Sequence, residues 1–427
     1  MVILTIAHHT LREAIRKRVF YVLIGLCILI TFISLVIPTT DEPNARIKII
    51  LVVFFQVVVL LCIIGVILIS ALSLPSEIED KTIYSILSKP ISKLSIIIGK
   101  IIGFALLSAL ILAILGALNI IILQQAVVRL PEGCKDILKA RNEFTVSKFD
   151  IQGKLHHIRE GTVWIEGGRT GIAVWNFSHV CEKPDSKSYF EAELSPKIES
   201  TGKFADSIPL VVRLEGVGSD HYRTEVISIK ADEPFLLKLD TGIIQKSSNI
   251  NISLFPLNTT DHIGVTADDV KVFFVKKGFL LNYIKAGIIT FLKFLLIVII
   301  TVMGSTYLSA PVSIVSSLIV FLCGHILDFI KDFSFLIQYQ GVHEHALPTV
   351  MRKPGVFFVY LDSCMKKILE WFSVVLPDFN RYDSLEFLLK GINIPLKTIV
   401  ISFGYTALYA VICLFISFFV FKRREFL

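Results

Sequence analysis

The stretch Ile49–Leu74, IILVVFFQVVVLLCIIGVILISALSL, contains no charged residue and a single side-chain amide, Gln56. Wound as an α-helix at about 1.5 Å per residue, it is longer than the roughly 30 Å hydrocarbon core of a bilayer. Five further runs have the same texture: Val19–Ile37, Ile96–Leu123, Gly278–Met303, Pro311–Ile330 and Thr398–Phe421. The whole chain agrees with them. Its 427 residues are 54% hydrophobic and 19% charged, with a mean hydropathy of +0.71, which argues against an ordinary soluble globule. The sequence therefore predicts an α-helical polytopic membrane protein with six transmembrane helices. The net charge of +7 is too mild and too dispersed for a nucleic-acid partner.

Basic residues set the expected orientation. Arg12, Arg16, Lys17 and Arg18 precede the first run, Lys81, Lys89 and Lys93 lie between the second and third, and Lys422, Arg423 and Arg424 follow the sixth. With these clusters in the cytoplasm, both termini are inside a cytoplasmic (inner) membrane. The segments 38–48, 124–277 and 331–397 are then outside, and 304–310 is a tight inner turn. Val19–Ile37 is too long for a signal-peptide core, so it is expected to remain as an anchor.

The insert 124–277 reads differently. Its stretches GIAVWNF, SYFEAEL, PLVVRLEG, RTEVISIK, NINISLF and DVKVFFV alternate apolar and polar residues between Gly, Pro and polar clusters. That is the pattern of an inserted extracytoplasmic, mainly-β, sandwich-like domain. The expected order is thus 1–123 (an interfacial helix and spans one to three, with an inner loop at 75–95), 124–277 (β), 278–330 (spans four and five), 331–397 (helical and interfacial) and 398–427 (span six and a basic tail). In the interfacial helix, Leu4, Ala7, Leu11, Ala14 and Ile15 share a face opposite Arg12, Arg16 and Lys17. In 331–397, Leu361, Met365, Ile368, Phe372 and Val375 do the same opposite Asp362, Lys366, Lys367 and Glu370.

The chain holds no GxxxxGK[ST] loop, HExxH or GxSxG, so no catalytic residue is assigned and any ATP-driven engine must lie in another chain. His343, Glu344 and His345 lack the further ligands a metal shell needs. The informative segment is the inner loop PSEIEDKTIYSILSKPISKLSIIIGK, Pro75–Lys100. Ser76 and Glu79 are spaced as a capping box, Glu77, Glu79 and Asp80 favour a helix N-terminus, Ile83, Ile86 and Leu87 form an apolar face, and Pro90 is a stop. The spacing predicts a short helix over Ser76–Lys89, far more structure than a plain connection between spans requires.

This loop resembles the inner loop of type 2 ABC transporter permeases, in the branch that includes permeases for nitrous oxide reductase maturation. The resemblance rests on E-x-E-D-K-T from Glu77, L-S-K-P-I-S from Leu87, Gly99-Lys100, STYLSAPVS at Ser305–Ser313, LPDFNRYD at Leu376–Asp383 and FKRREF at Phe421–Phe426. It covers the six runs and their inner loops, whereas the large outer insert departs from the smallest members. The resemblance implies a coupling helix seated in a cleft of an ATPase subunit, with Glu77, Glu79, Asp80, Thr82 and Lys89 as the contacting residues. It also implies two ABC ATPase copies as partners, a second permease copy or a related permease, and ATP with Mg bound by the ATPase while this chain carries no cofactor. The expected function is export across the membrane, driven by that ATPase. The competing reading is a mechanical or interaction protein that passes ATPase strokes to an outer partner without moving solute. A membrane-anchored binding module lacking an ATPase is disfavoured by the elaborate inner loop.

Several single residues carry their own expectations. Lys293, inside the fourth run, is a candidate intramembrane functional residue, with snorkelling or packing as the plainer alternative. Lys100 is expected to snorkel, and His325 and Asp328 to sit near the outer end of span five. Trp175 and Phe177 alternate onto one strand face and read as core, while an aromatic platform with Trp164 is the alternative. Of seven cysteines, Cys27, Cys62, Cys323 and Cys413 read as small apolar residues, Cys134 and Cys181 are a possible disulfide, and Cys364 lies in a polar segment. The topology predicts that an engineered cysteine near Ser219 reacts with an impermeant reagent from outside intact cells. Reaction only after the inner face is opened would reverse the orientation.

Overall fold

The computed structural model describes residues 2–37, 45–79, 92–128, 138, 140–153, 155–159, 162–168, 171–178, 189–200, 207–216, 222–230, 234–239, 249–276, 278–340, 367 and 376–423. The chain forms two compact units: residues 1–135, 283–389 and 394–427 make a helical unit, and residues 136–282 with 390–393 make a β unit.

The helical unit contains α1 (Val2–Arg16), α2 (Arg18–Ile33), α3 (Ala45–Glu79), α4 (Lys93–Val128), α5 (Phe279–Ser305), α6 (Ala310–Gln340), the short α7 (Leu385–Leu389) and α8 (Leu396–Arg423). Among the described residues α3, α4, α5, α6 and α8 are long and apolar enough to cross a bilayer, which marks a multi-pass membrane protein. Apolar α2 has 16 residues, about 24 Å of helix, and hydrogen-bonded turns continue it to Val36. Hydroxyls on these helices satisfy themselves on carbonyls one turn back, as Thr31 on Cys27, Ser70 on Val66, Ser108 on Phe104 and Thr301 on Ile297 do. Without such partners they would be costly in an apolar surround.

Within α3, Val53–Val58 winds as a π-helix, and Phe54 and Phe55 there pack on Tyr283 of α5. Leu23 of α2 fills the space over Gly65, and the Cys27 and Cys62 sulfurs lie 3.5 Å apart, buried between the same two helices. The tight turn expected between spans four and five is present: Tyr307 and Leu308 N–H groups both return to the Gly304 carbonyl before Ala310 opens α6.

The amino-terminal helix docks otherwise than its pattern suggested. Its buried residues are Ala7, Thr10 and Ala14, whereas Leu4 is 68% exposed. The reason lies on α4, where Gly99 and Gly103 bring the two backbones together. A Cβ at Gly103 would stand 2.8 Å from the Ala7 carbonyl oxygen, and one at Gly99 would collide with Ile6. Only the small-residue face of α1 fits so close an approach.

All six quoted alternating stretches form strands of the β unit. They are β5 (Gly171–Phe177), β6 (Tyr189–Leu194), β8 (Ser207–Gly216), β9 (Tyr222–Lys230), β11 (Ile250–Pro256) and β13 (Val270–Lys276). Among the described residues seven more strands belong to the unit: β1 (Ala140–Phe144), β2 (Lys148–Gly153), β3 (Leu155–Arg159), β4 (Thr162–Glu166), β7 (Lys197–Ser200), β10 (Phe235–Leu239) and β12 (Asp261–Val265). They pair antiparallel in three sheets ordered β1-β13-β6-β10, β2-β5-β11-β8-β9 and β3-β4-β12-β7. The inward side chains of these sheets share one core. Residues 390–393 join the β unit rather than a helix: Ile392 bridges Arg141 in parallel, and Asn393 donates to both the Arg141 carbonyl and the Asn142 side chain. Arg141 also lies over the Phe273 ring and faces Glu191 and Glu193.

Trp175 and Phe177 are fully buried in that core, while half-buried Trp164 covers Gly264 on the neighbouring strand. The Trp175 indole donates to the Thr266 carbonyl at 3.1 Å, so its one polar atom is satisfied. Cys134, Cys181, Cys364, the His343–His345 trio and the amphipathic face from Leu361 to Val375 lie outside the described residues. Trp175→Ala is expected to destabilise the β unit by about 3–5 kcal/mol, read as a lower denaturant midpoint in the full-length protein. An unchanged midpoint would remove Trp175 from the core.

Candidate functional site

The inner-loop residues are met at the end of α3. This helix does not stop at Pro75 and restart at Ser76. It runs through Pro75 to Glu79, and the Ser76 hydroxyl donates to the Ser73 carbonyl at 3.1 Å. The capping box expected of Ser76 and Glu79 therefore gives way to continuous helix. One proline costs a helix a single N–H bond, whereas breaking the helix there would orphan a full turn of backbone groups. Glu79 is exposed at the helix end. Asp80, Thr82 and Lys89 lie in 80–91, outside the described residues.

Glu77 has turned the other way. Lys100, two turns into α4, donates to Glu77 Oε1 at 2.6 Å and to Ser73 Oγ at 2.8 Å. Only 3% of the Lys100 side chain and 13% of the Glu77 side chain are exposed. The snorkelling expected of Lys100 is thus replaced by a buried ion pair, because a counter-charge one helix away removes the need to reach water. A buried charge without a partner is the expensive alternative. The pair and its serine clamp together the two helices that flank 80–91.

A second constellation surrounds Lys293, half-buried midway along α5. Its Nζ lies 2.9 Å from His325 Nε2 on α6 and 5.8 Å from the centre of the Phe321 ring. His325 Nδ1 faces the Phe321 carbonyl at 3.2 Å, which assigns the ring proton to Nδ1 and leaves Nε2 to accept from the lysine. The segment LPDFNRYD closes over these residues. Phe379 stacks on His325 with an interplanar angle of 17°, its N–H donates to the Gly324 carbonyl, and the Asn380 amide donates to the His325 carbonyl. Gly324 is required there, since a Cβ would stand 2.3 Å from the Pro377 oxygen. On the far side, Asp378 N–H donates to the Tyr405 hydroxyl, and Tyr382 shares a 2.6 Å hydrogen bond with Thr406, both partners lying on α8. Burial pushes the Tyr382 phenol up to about 12, so it remains a neutral hydroxyl.

The structure therefore brings Glu77 to Lys100 and Lys293 to His325. The sequence reading named neither partnership, nor Ser73 as a participant. The available signal was a lysine inside an apolar run, Lys100 in the third and Lys293 in the fourth, which requires a partner on another helix without saying which one. Among the described residues no three His, Cys, Asp or Glu side chains gather as a metal site.

No protein-family model matches the chain, and no curated protein matches it. Among solved structures it is similar to the CBM22-1–GH10 modules of the Clostridium thermocellum N-terminal endo-1,4-β-D-xylanase 10B, complexed with xylohexaose. That similarity has 14% identity and a TM-score of 0.19 over 34% of this chain and 27% of that one, and it carries no argument about fold or function.

Lys100→Met, which strands Glu77, is expected to lower stability by about 3–5 kcal/mol, and the double variant Lys100→Met with Glu77→Leu to recover most of it. Thermal unfolding of the full-length protein measures both. Equal loss in the single and double variants would show that the two residues do not act as a pair.

Proposed function

We propose that the chain is the membrane-spanning permease subunit of an ABC exporter, with six spans and both termini in the cytoplasm of a cytoplasmic-membrane protein. The β unit is then extracytoplasmic, and hydrolysis belongs to two copies of a separate ATPase that binds ATP and Mg. A second permease copy or a related chain completes the assembly. The observation that supports this reading best is the Lys100–Glu77–Ser73 clamp. A force applied to residues 80–91 by a cytoplasmic partner is delivered to α3 and α4 together instead of being lost in a loose connection. Coupling needs such a contact, because nucleotide acts on the spans only through a difference in binding free energy between two arrangements. Glu79, Asp80, Thr82 and Lys89 then meet the ATPase, whereas Glu77 holds the clamp that transmits its movement.

A second reading draws support from the β unit, whose described strands have a core of their own. There the ATPase stroke acts on an outer partner through this unit, with no solute moved. Both readings require the same inner contact, and flux through proteoliposomes containing the ATPase separates them.

Asp80→Lys is expected to weaken ATPase association by about tenfold or more, with part of the loss restored by a compensating charge reversal on the ATPase. Co-purification and nucleotide-stimulated transport measure the two effects. Wild-type ATPase binding and coupling in the Asp80→Lys, Glu79→Lys double variant would make this segment a passive connector and remove the basis of the proposal.

A further inference from the structure

A cavity of about 280 Å³ opens beside Lys293 in the helical unit, lined by Phe55, Gln56 and Leu60 of α3, Lys293, His325, and Phe379 with Asp383 from the LPDFNRYD segment. It is far larger than a packing defect and of the scale of a small-ligand pocket.

Its charges are arranged unusually. The His325 tautomer leaves Lys293 as the donor of their hydrogen bond, and among the described residues its amino group has only that imidazole and the Phe321 ring as neighbours in polar or ring contact. Asp383 lines the same cavity from the rim, where it is exposed and its Oδ1 accepts the Leu385 N–H at 2.9 Å. Among the described residues neither Lys293 nor Asp383 forms an ion pair. A cation within the cavity and an anion lining it that attract one another without forming a direct hydrogen bond or ion pair complement a ligand that carries both signs. The aromatic walls Phe55 and Phe379 suit the cationic end.

The lining also shows how such a ligand enters. Gln56 and Leu60 are exposed on α3, an apolar helix long enough to span a bilayer. Gln56 falls inside the π-helix Val53–Val58, and among the described residues its amide has no hydrogen-bond partner. Single-turn π segments within α-helices recur at functional sites, where they redirect side chains that regular winding would place elsewhere. An amide exposed on an apolar span is costly unless something polar meets it. The exposed part of the lining therefore combines apolar Leu60, the Gln56 amide and the Asp383 carboxylate, the mixture of groups an amphiphile needs.

We propose that this cavity binds a zwitterionic phosphate–ammonium head group, with the phosphate on Lys293 and Gln56, the ammonium against Asp383 and the aromatic wall, and any acyl chain leaving past Leu60. The proposal requires only that α3 and α5 lie in a bilayer, and it is independent of the ATPase reading. A membrane phospholipid and a free phosphoethanolamine share this chemistry, and competition between them identifies the source.

The test uses the full-length protein, delipidated in detergent, titrated with phosphatidylethanolamine or phosphatidylglycerol and read by native mass spectrometry without nucleotide. Wild type is expected to take up one phosphatidylethanolamine per chain, about tenfold more tightly than phosphatidylglycerol. Lys293→Met should weaken phosphatidylethanolamine about tenfold or more while Lys293→Arg retains it, and Asp383→Asn should bring the two lipids to near-equal affinity. Competition by soluble phosphoethanolamine at equal concentration assigns the site to the free zwitterion, and its failure to compete assigns it to the lipid. Equal or tighter binding of phosphatidylglycerol by wild type overturns the proposal, as does undiminished binding by Lys293→Met. The wild-type preference needs no variant, so the outcome stands even where a substitution fails to fold.

Discussion

A charge inside an apolar helix bundle must find its partner within the chain, and the helical unit is organised around that constraint. Water would solvate an ammonium group for nothing, whereas hydrocarbon gives it no alternative. Lys100 meets the requirement through Glu77 and Ser73, and Lys293 through His325 and an aromatic ring. The two solutions differ in kind. The first is a hydrogen-bonded ion pair almost closed to solvent, which fixes two helices against each other. The second leaves a cation with a neutral partner beside an open volume, and the surrounding segment Leu376–Asp383 is held by backbone and ring contacts to α6 and by hydroxyls on α8. A fully matched charge makes a clamp, and an incompletely matched one makes a place where something else can bind.

The β unit obeys a different constraint. Some of its strands alternate between a buried and a less buried face, while β11 and β12 are buried almost throughout, and stability comes from removing apolar side chains from water. On β5 the alternation is complete: Gly171, Ala173, Trp175 and Phe177 point inward while Ile172, Val174 and Asn176 are only half-buried. Trp175 also links this strand to the corner at Thr266, where Thr266 and Asp269 cap a short 3₁₀ turn that leads into β13.

Much of this was legible in the sequence because solvent writes itself into composition. Five of the six apolar runs became long helices, and each quoted alternating stretch became a strand. The seven unread strands have weaker patterns: β2 is Lys-Phe-Asp-Ile-Gln-Gly with only two apolar side chains, and β7 is four residues long. They owe their form to neighbours that already have a register. Ser76 illustrates a different loss. Ser-x-x-Glu after a proline is a sound start signal for an isolated helix, but a helix arriving from upstream makes the signal redundant, and local chemistry cannot tell which case holds. Pairings between helices were hidden for the same reason: a lysine in an apolar run announces its need for a partner, while the identity of Glu77 or His325 depends on which faces meet.

The contact between α1 and α4 has a consequence in time. Ile3 and Ile6 rest on Gly99, and Ala7 and Thr10 on Gly103, glycines made about ninety residues later, and a chain extended at roughly 5–20 residues per second presents that surface only seconds after α1 has emerged. Until α4 arrives, α1 has no groove to enter, and its small-residue face has nothing to pack against. The docking of α1 therefore waits for α2, α3 and α4 to be made, and can be complete before α5, α6 and α8 exist.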